Sequence, residues 1–115
     1  MQKHVLIING SYREDGISEQ MVYAIENLFN ERNISYTSVN LREKNIHYCD
    51  NCRMCMHQEG NAPGTCHFDD DMRSIVEHIE QSSGYVFISP TNMGSVTAIF
   101  KCCVERLSVY GYWPW

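Results

Sequence analysis

The sequence predicts an α/β domain that is built on a parallel sheet. Residues 5–8 and 85–88 are continuous apolar runs, which are typical of strands covered on both faces. Segments with apolar residues at helical spacing follow each of these runs. The elements alternate in the order β-α-β-loop-α-β-α, and such alternation indicates parallel strands joined by right-handed crossovers.

The composition excludes several classes of function. The chain has 115 residues, enough for one domain, and its 9 Lys plus Arg against 14 Asp plus Glu give a net charge of −5. An acidic chain lacks the basic stripe with which nucleic-acid binders meet phosphates, so we expect no nucleic-acid partner. No apolar run reaches the roughly 20 residues of a membrane span, so we expect no membrane partner either.

The chain carries six cysteines. The apolar run at the N-terminus is too short for a signal peptide. We therefore expect a cytoplasmic protein whose cysteines are reduced thiols or metal ligands rather than disulfides. Four of them, Cys49, Cys52, Cys55 and Cys66, lie in residues 42–67, an irregular stretch whose length is typical of a functional loop.

The first predicted helix follows the loop 9–18. Ser18 is a natural N-cap, and Asn30 and Asn33 are typical stop signals. Between them the apolar residues have the spacing of a helix that packs on a core, namely Met21, Ala24, Ile25, Leu28 and Phe29. An alternating segment over 34–41 then predicts a half-exposed edge strand.

Two further helices are predicted after the irregular stretch. The first begins at the consecutive aspartates 69–71, whose charges suit the positive end of a helix dipole, so we interpret all three as a helix cap. The second covers 96–107 and turns Cys102 and Cys103 inward as small core residues.

The loop between the first strand and the first helix has the composition of a phosphate site. Backbone N–H groups gather at a helix N-terminus, where the dipole favours an anion. Gly10 and Gly16 allow tight backbone turns, while Ser11, Ser18 and Arg13 add donors. The loop matches neither glycine pattern of nucleoside triphosphate or dinucleotide sites, so a single terminal phosphate fits better. An ordinary capped turn has the same composition, and the loop alone leaves both interpretations open.

Three sets of residues follow one another along nearly the whole chain. They are Gly10-Ser11-Tyr12-Arg13 with Gly16-Ile17-Ser18, the cysteine stretch 49–66 that leads into Asp70-Asp71-Met72, and Ser89-Pro90 through Gly94 ahead of Lys101 and Arg106. In this order they resemble the NADPH-dependent FMN reductase family of flavodoxin-like proteins.

The resemblance implies a flavodoxin-like three-layer α/β/α fold whose parallel sheet binds FMN at its switch point. By analogy, Ser11, Arg13 and Ser18 would hold the phosphate of FMN. The backbone of Ile17 would join them, in the loop that Gly16 helps to shape. The second loop would border the isoalloxazine ring with Pro90, Thr91, Asn92, Met93 and Gly94.

The resemblance also implies that the family's domain continues beyond this chain. Residues 1–115 would form the FMN-binding domain without its C-terminal strands and last helix, with about three strands and three helices. The outer edge of the strand 85–88 would then be unpaired. We therefore expect either a homo-oligomer, such as a dimer or a domain-swapped assembly, or a protein of low solubility. The aromatic tail 110–115 would cover this gap or join a subunit contact. Glu14 and Asp15 would have to point to solvent, because carboxylates repel a phosphate.

The cysteines leave three alternatives open. Cys49, Cys52 and Cys55, with Cys66 after a longer gap, resemble the set that holds a 4Fe–4S cluster in iron–sulfur flavoproteins. Zinc is a second alternative, because three histidines lie nearby, His47, His57 and His67. Thiols without a metal, close to the flavin, are the third.

The resemblance implies an FMN-dependent NAD(P)H oxidoreductase. Reduced nicotinamide would pass hydride to the flavin, which would then reduce a second acceptor, either a small molecule or a redox protein. Such chemistry depends on orientation and a dry stacking surface, so we assign no catalytic acid, base or nucleophile. An iron–sulfur flavoprotein-type electron carrier with a ferredoxin partner and an inactive truncated fragment are the alternatives.

Overall fold

A computed structural model describes residues 3–111 of the chain. The strands are β1 (His4–Asn9), β2 (Ser35–Asn40) and β3 (Gly84–Ile88). The helices are α1 (Ile17–Glu31), α2 (Met72–Gln81) and α3 (Ala98–Arg106). Short 3₁₀ helices cover Leu41–Glu43, Met54–Met56 and Leu107–Tyr110. The predicted tail 110–115 therefore lies mostly outside the described residues.

The three strands form one parallel sheet in the order β2-β1-β3. Asn9 at the end of β1 is in register with Asn40 of β2 and Ile88 of β3. All three strands therefore end at one edge, and the loops that follow them leave the sheet side by side. The predicted parallel α/β architecture is confirmed.

The sheet separates two hydrophobic clusters. On one face, Leu6 and Ile8 of β1 pack with Met72 and Ile75 of α2 and Cys103 of α3. On the other face, the buried residues are Ile7, Val22 of α1 and Ile88. Consecutive strand residues point to opposite faces, so a continuous apolar run such as that of β1 serves both clusters. The result is the predicted three-layer α/β/α arrangement.

The start and the buried face of α1 differ from the prediction. Gly16 occupies the N-cap position without a side-chain cap, and Ser18 is buried in the first turn, so the predicted cap at Ser18 is wrong. The inward face carries Val22, whereas Met21 and Leu28 are 49% and 42% exposed. This helix is apolar on more than one face, and the sheet covers only one of them.

The three aspartates before α2 are more than a helix cap. Of the three side chains, all within the described residues, that of Asp70 alone accepts from a helix N–H, that of Met72, at 3.2 Å. Asp71 accepts from the backbone of Asn45 at 2.6 Å. Asp69 forms an exposed ion pair, and Asp70 a buried one, with arginines described below. The prediction that all three aspartates cap the helix is therefore wrong, because their carboxylates bind the Asn45 backbone and the side chains of two arginines.

Helix α3 begins at a side-chain cap and ends one residue earlier than predicted. The Thr97 hydroxyl accepts from the Phe100 N–H at 3.3 Å. The outer edge of β3 is unpaired within residues 3–111, and its Tyr85 and Phe87 are about half exposed. None of the helices in that range has the length and apolar character that crossing a bilayer demands.

Candidate functional site

The loops after β1 and β3 are bonded to each other at the carboxyl edge of the sheet. The Gly10 N–H donates to the Ile88 carbonyl at 2.7 Å, and the Thr97 hydroxyl donates to the Gly10 carbonyl at 2.6 Å. The Ile99 N–H donates to the Tyr12 hydroxyl at 2.9 Å. The two loops that the sequence assigned to one ligand are therefore neighbours.

Gly10 is required by the close approach of β1 to α3. A Cβ atom at this position would lie 2.7 Å from Phe100 Cδ2 and 3.1 Å from Thr97 Oγ1. Real Cβ atoms do not tolerate the shorter distance, so any side chain here would push the two loops apart.

The predicted phosphate ligands are distributed over the β1–α1 loop. Ser11 is buried, and its hydroxyl accepts from the Arg13 N–H at 3.1 Å and donates to the Arg13 carbonyl at 3.3 Å. Ser18 is also buried, whereas Ile17 is 76% exposed. The Arg13 side chain is exposed and reaches Asp15 at 3.6 Å. Glu14 and Asp15 face solvent, as the resemblance required.

The first turn of α1 offers free backbone donors. The N–H groups of Ile17, Ser18 and Glu19 have no hydrogen-bond partner within residues 3–111, and Gly16 supplies no capping side chain. Unpartnered donors at a helix N-terminus, together with the helix dipole, form a binding site for an anion. The predicted ligands Gly16, Ile17 and Ser18 all belong to this turn.

A buried polar network that the sequence analysis missed supports this loop. Asn9 donates to Glu19 Oε2 at 2.9 Å and accepts from the Ser11 N–H at 3.1 Å. Arg42 Nη1 donates to the same Glu19 oxygen at 3.2 Å. It also approaches the carbonyls of Ser11 and Arg13 at 3.5 and 3.4 Å. The sequence contained one indication of this network, because β1 and β2 both end in an asparagine, Asn9 and Asn40.

The β3–α3 loop contains a tight turn with an exposed tip. Asn92 and Ser95 form a bridge with N–O distances of 2.6 and 3.2 Å. Met93 and Gly94 between them have φ angles of 50° and 83°. Both values lie in the left-handed region, as in a type I′ turn. Met93 is 98% exposed. The predicted ring-binding residues Pro90 and Thr91 precede the turn, with Pro90 half-buried and Thr91 exposed.

The four cysteines of the irregular stretch line one small cavity. Cys49, Cys52, Cys55 and Cys66 all border a space of about 40 Å³. Cys55 is buried there, and its Sγ atom lies 3.7 Å from the Ser108 hydroxyl. Residues up to 17 positions apart in the sequence thus converge on one cavity, which is called the cysteine pocket below.

Local backbone features shape the cysteine pocket. Asn51 and Arg53, on either side of Cys52, have φ angles of 60° and 63°. Such left-handed conformations are unfavourable for residues with a side chain and are found most often at functional sites. A Cβ atom at Gly64 would overlap the carbonyl oxygen of Cys55, so only glycine allows these two segments to meet.

The spacing of the sulfur atoms bears on the choice of metal. No three of the four, all within the described range, lie within 4.8 Å of one another. Tetrahedral zinc with Zn–S bonds of about 2.3 Å would hold its sulfur ligands about 3.8 Å apart. A cluster of four irons and four sulfides is larger than one ion and suits wider spacing. The four sulfur atoms therefore do not form a compact four-cysteine zinc site in the described part of the chain.

One histidine, His67, borders the cysteine pocket together with Asp50 and Cys52, and these three offer potential metal ligands there. His47 stacks on Phe68, and only His67 joins a compact group, with Asp50 and Cys52, on the surface. Burial raises the pKa of Asp50. Hydrogen bonds from Cys52 and His67 outweigh this effect and hold that pKa below its ordinary value. Three exposed ligands are fewer than the four of a structural zinc site.

The cysteines of α3 are separate from the pocket. Cys103 is buried, and burial raises the pKa of its thiol to about 11, with a smaller contribution from Cys102. A thiol with this pKa is protonated at neutral pH and is a poor metal ligand. The prediction that Cys103 is a small core residue is confirmed, and Cys102 is partly buried beside it.

A buried ion pair lies beside the cysteine pocket. Arg106 contacts Asp70 through both terminal nitrogens, at 2.7 and 2.9 Å, and donates to the His47 carbonyl at 3.0 Å. Burial raises the pKa of Asp70. The hydrogen bonds from Arg106, His47 and Met72 outweigh that effect and hold the pKa below its ordinary value.

A comparison with known protein families agrees with the fold described above. The family model of NADPH-dependent FMN reductases matches residues 4–115, and the chain belongs to this family. The resemblance suggested by the sequence motifs is therefore confirmed, and the chain is a member of a family of FMN-dependent oxidoreductases.

The more specific likeness is to iron–sulfur flavoproteins. One from Archaeoglobus fulgidus is 30% identical over 93% of this chain and 46% of its own length. Another from Clostridioides difficile is 35% identical over 89% of this chain and 44% of its own length. One from Methanocaldococcus jannaschii is 28% identical over 89% of this chain and 50% of its own length. The chain spans about half the length of these curated relatives.

A solved structure supports the flavodoxin-like fold. RosB, crystallised with the bound intermediate 8-demethyl-8-formylriboflavin-5′-phosphate, superposes with a TM-score of 0.63. The match covers 92% of this chain and 42% of RosB at 19% sequence identity. At that identity the likeness concerns the fold.

Proposed function

We propose that this chain forms the FMN-binding part of an NAD(P)H-dependent oxidoreductase. The observation that carries the proposal is the free first turn of α1 beside the β3–α3 loop, at one edge of a sheet with the order β2-β1-β3. In such sheets ligands bind outside the carboxyl ends of the strands, where the strand order reverses. Family membership supports the same cofactor.

The residues of the β1–α1 loop would bind the phosphate of FMN. Free N–H groups at Ile17 and Ser18 would donate to its oxygens, and the exposed Arg13 would leave Asp15 to add charge. Asn9 and Arg42 would fix the conformation of this loop through their hydrogen bonds to the backbone of Ser11 and Arg13. A binding site with a preset backbone loses little conformational entropy when the ligand enters.

The β3–α3 loop would border the flavin ring. Met93 has an exposed apolar side chain at the tip of the turn. Gly94 has no side chain, so the backbone beside Met93 is accessible to a ligand. When bound, FMN supplies the chemistry of accepting a hydride from NAD(P)H and passing electrons to a small molecule or a redox protein. The chain itself would orient the ring and exclude water, without a general acid or base.

A second function, that of an iron–sulfur electron carrier, is favoured by the cysteine pocket. Cys49, Cys52, Cys55 and Cys66 would ligate a 4Fe–4S cluster there, which would exchange single electrons with a redox partner such as a ferredoxin. The likeness to iron–sulfur flavoproteins supports the same ligands. The two functions are compatible, since the cluster and the flavin would occupy different loops.

A flavin titration tests the first proposal. Ser18→Ala and Ser11→Ala should weaken FMN binding about tenfold or more, because a hydrogen bond to a charged group contributes about 1.5–3 kcal/mol. Quenching of FMN fluorescence measures the dissociation constant. The matched control is Ser74→Ala, which removes a half-buried hydroxyl from the first turn of α2. Equal affinities in all four proteins would refute the phosphate-loop assignment.

Visible spectra and metal assays test the second proposal. Protein purified without oxygen should contain iron and acid-labile sulfide, and Cys55→Ser should lose both while Cys103→Ser retains them. Zinc in place of iron, or no metal, would contradict the cluster. Reduction by NADPH, compared with reduction by a reduced ferredoxin, distinguishes reductase from carrier. Colourless protein that takes up no FMN would indicate an inactive fragment.

A further inference from the structure

One nitrogen of Arg106 has no role in the folded chain. The residue is 2% exposed, and both terminal nitrogens are engaged by Asp70 and the His47 carbonyl. Its Nε–H is buried and has no hydrogen-bond partner within residues 3–111. A buried donor without an acceptor is destabilising, and native proteins rarely keep one without a function.

The position of Arg106 identifies the missing acceptor. The residue lines the cysteine pocket together with the four cysteines. Burial lowers the pKa of the guanidinium, but Asp70 and, after it, the Cys66 thiol outweigh this effect and raise it. Arg106 and Cys66 also border the same cavity, which places the guanidinium beside one of the proposed cluster ligands. The face of the guanidinium is covered by Phe68, whose ring centre lies 5.0 Å away.

A cluster held by four thiolates carries negative charge into this pocket. Its sulfur atoms accept hydrogen bonds, and such bonds, like a nearby positive charge, favour the form that has gained an electron. A guanidinium that is excluded from water acts on such a cluster more strongly than an exposed one. Arg106 is the one arginine that is fully buried in the described part of the chain.

We propose that Arg106 is a positioning residue of the cluster site, whose Nε–H donates to a sulfur atom in the cysteine pocket and whose charge raises the reduction potential of the cluster. This inference rests on the proposed iron–sulfur function. Asp70 fixes the guanidinium through two parallel hydrogen bonds, so its orientation toward the pocket is set before the cluster binds.

The chain contains a matched control for this role. Arg73 pairs with Asp69 at 3.2 Å, and its side chain is 54% exposed. The two arginine–aspartate pairs thus involve neighbouring aspartates, 69 and 70, and differ in burial. Water screens the charge of Arg73, so its removal should leave the potential of the cluster nearly unchanged.

The test measures the potential of the cluster in variants of the loaded protein. Asp70→Asn with Arg106→Gln removes both buried charges and leaves no unpaired one. At a fixed potential, the ratio of reduced to oxidised cluster should fall at least tenfold, which is 59 mV for one electron. Arg73→Gln should change this ratio less than about twofold. The potential of bound FMN in the same sample is the internal reference.

Two single variants guard against a double variant that loads no cluster. Asp70→Asn retains the Arg106 charge and should not lower the potential. Arg106→Lys lacks the planar fork and the Nε–H, and should give a lower potential than Asp70→Asn. Equal potentials in the wild type and in all loaded variants would overturn the role of Arg106 while the cluster proposal stands. A wild-type protein that binds no iron would overturn both.

Discussion

The two loop regions each lie over a buried arginine–carboxylate pair, and the pairs differ in what they hold. Under the β1–α1 loop, Arg42 and Glu19 retain 12% and 6% side-chain exposure, and Arg42 reaches two loop carbonyls. Beside the cysteine pocket, the side chains of Arg106 and Asp70 are 2% and 7% exposed. Arg106 also donates to the His47 carbonyl, so it connects α3 with two other segments of the chain. The first pair fixes the conformation of one loop, whereas the second holds separate parts of the chain together.

The consequence of this difference is an unequal dependence on a ligand. The β1–α1 loop forms several hydrogen bonds within the protein, through Asn9, Ser11 and Arg42. The segment 49–66 also has local hydrogen bonds, such as the pair between Gln58 and Thr65, but it contains two left-handed residues and is tied to the chain end by the Gly64 N–H, which donates to the Val109 carbonyl at 2.8 Å. We therefore expect the β1–α1 loop to be preformed and the segment 49–66 to gain order from the cluster proposed above.

The largest expected effect is the loss of one partner of the deeper pair. Arg106→Ala should lower the free energy of unfolding by about 3–5 kcal/mol, because it leaves the Asp70 carboxylate buried without its counter-ion. Arg42→Ala should cost less, because Arg42 contacts Glu19 through one nitrogen at 3.2 Å, whereas Arg106 contacts Asp70 through two at 2.7 and 2.9 Å. Urea unfolding followed by circular dichroism measures both. A larger loss for Arg42→Ala would invert the comparison.

Acid should dissociate the same pair. The pKa of Asp70 lies below its ordinary value of 3.8, so the unfolded state binds a proton at higher pH than the folded state. The stability that Asp70 contributes is complete well above pH 3.8 and is lost as the pH falls through the lowered pKa. Urea midpoints measured between pH 6 and pH 3 test this expectation. The variant with both Asp70→Asn and Arg106→Gln should show less acid sensitivity in that range.

A smaller effect is expected where the flavin loops meet. Gly10→Ala should destabilise the protein by about 1–3 kcal/mol and weaken FMN binding, because the new Cβ would collide with Phe100. Gly16→Ala is the control in the same loop, since its Cβ would lie an ordinary 3.6 Å from Arg13. Thermal unfolding with and without FMN measures both changes. Similar melting temperatures for the two variants would contradict the packing argument.

The smallest expected effect has the opposite sign. Arg53→Gly should stabilise the protein without metal by roughly 1 kcal/mol, because glycine adopts the left-handed conformation of this residue without strain. Arg32→Gly should instead destabilise it, since Arg32 has a φ of −100° at the end of α1. Urea midpoints of the two variants test whether the cysteine loop stores strain.

The fold was predictable because local periodicity and element order determine it. Alternating strands and helices, with buried runs in β1 and β3, were enough to predict a parallel sheet. The face of α1 was not predictable, because Met21 and Leu28 continue an apolar stripe that the sheet does not cover. Which face is buried depends on the neighbours of the helix.

The candidate sites were predictable only where the residues lie close together in the sequence. The spacing of Cys49, Cys52, Cys55 and Cys66 indicated a set of metal ligands, and the structure brings all four to one pocket. The pair of Arg106 with Asp70 joins residues 36 positions apart, which no local pattern reveals. The buried carboxylate of Glu19 was equally hidden, because a glutamate in a first turn ordinarily faces solvent.

Helix α3 joins the two regions from end to end. Its capping residue Thr97 is bonded to the β1–α1 loop, and its last residue Arg106 borders the cysteine pocket. At 1.5 Å per residue, these two positions are about 13 Å apart along the helix axis. If both proposed cofactors bind, a helix rather than a flexible segment would separate their sites. The path an electron travels within one chain would keep a constant length while the surrounding loops move.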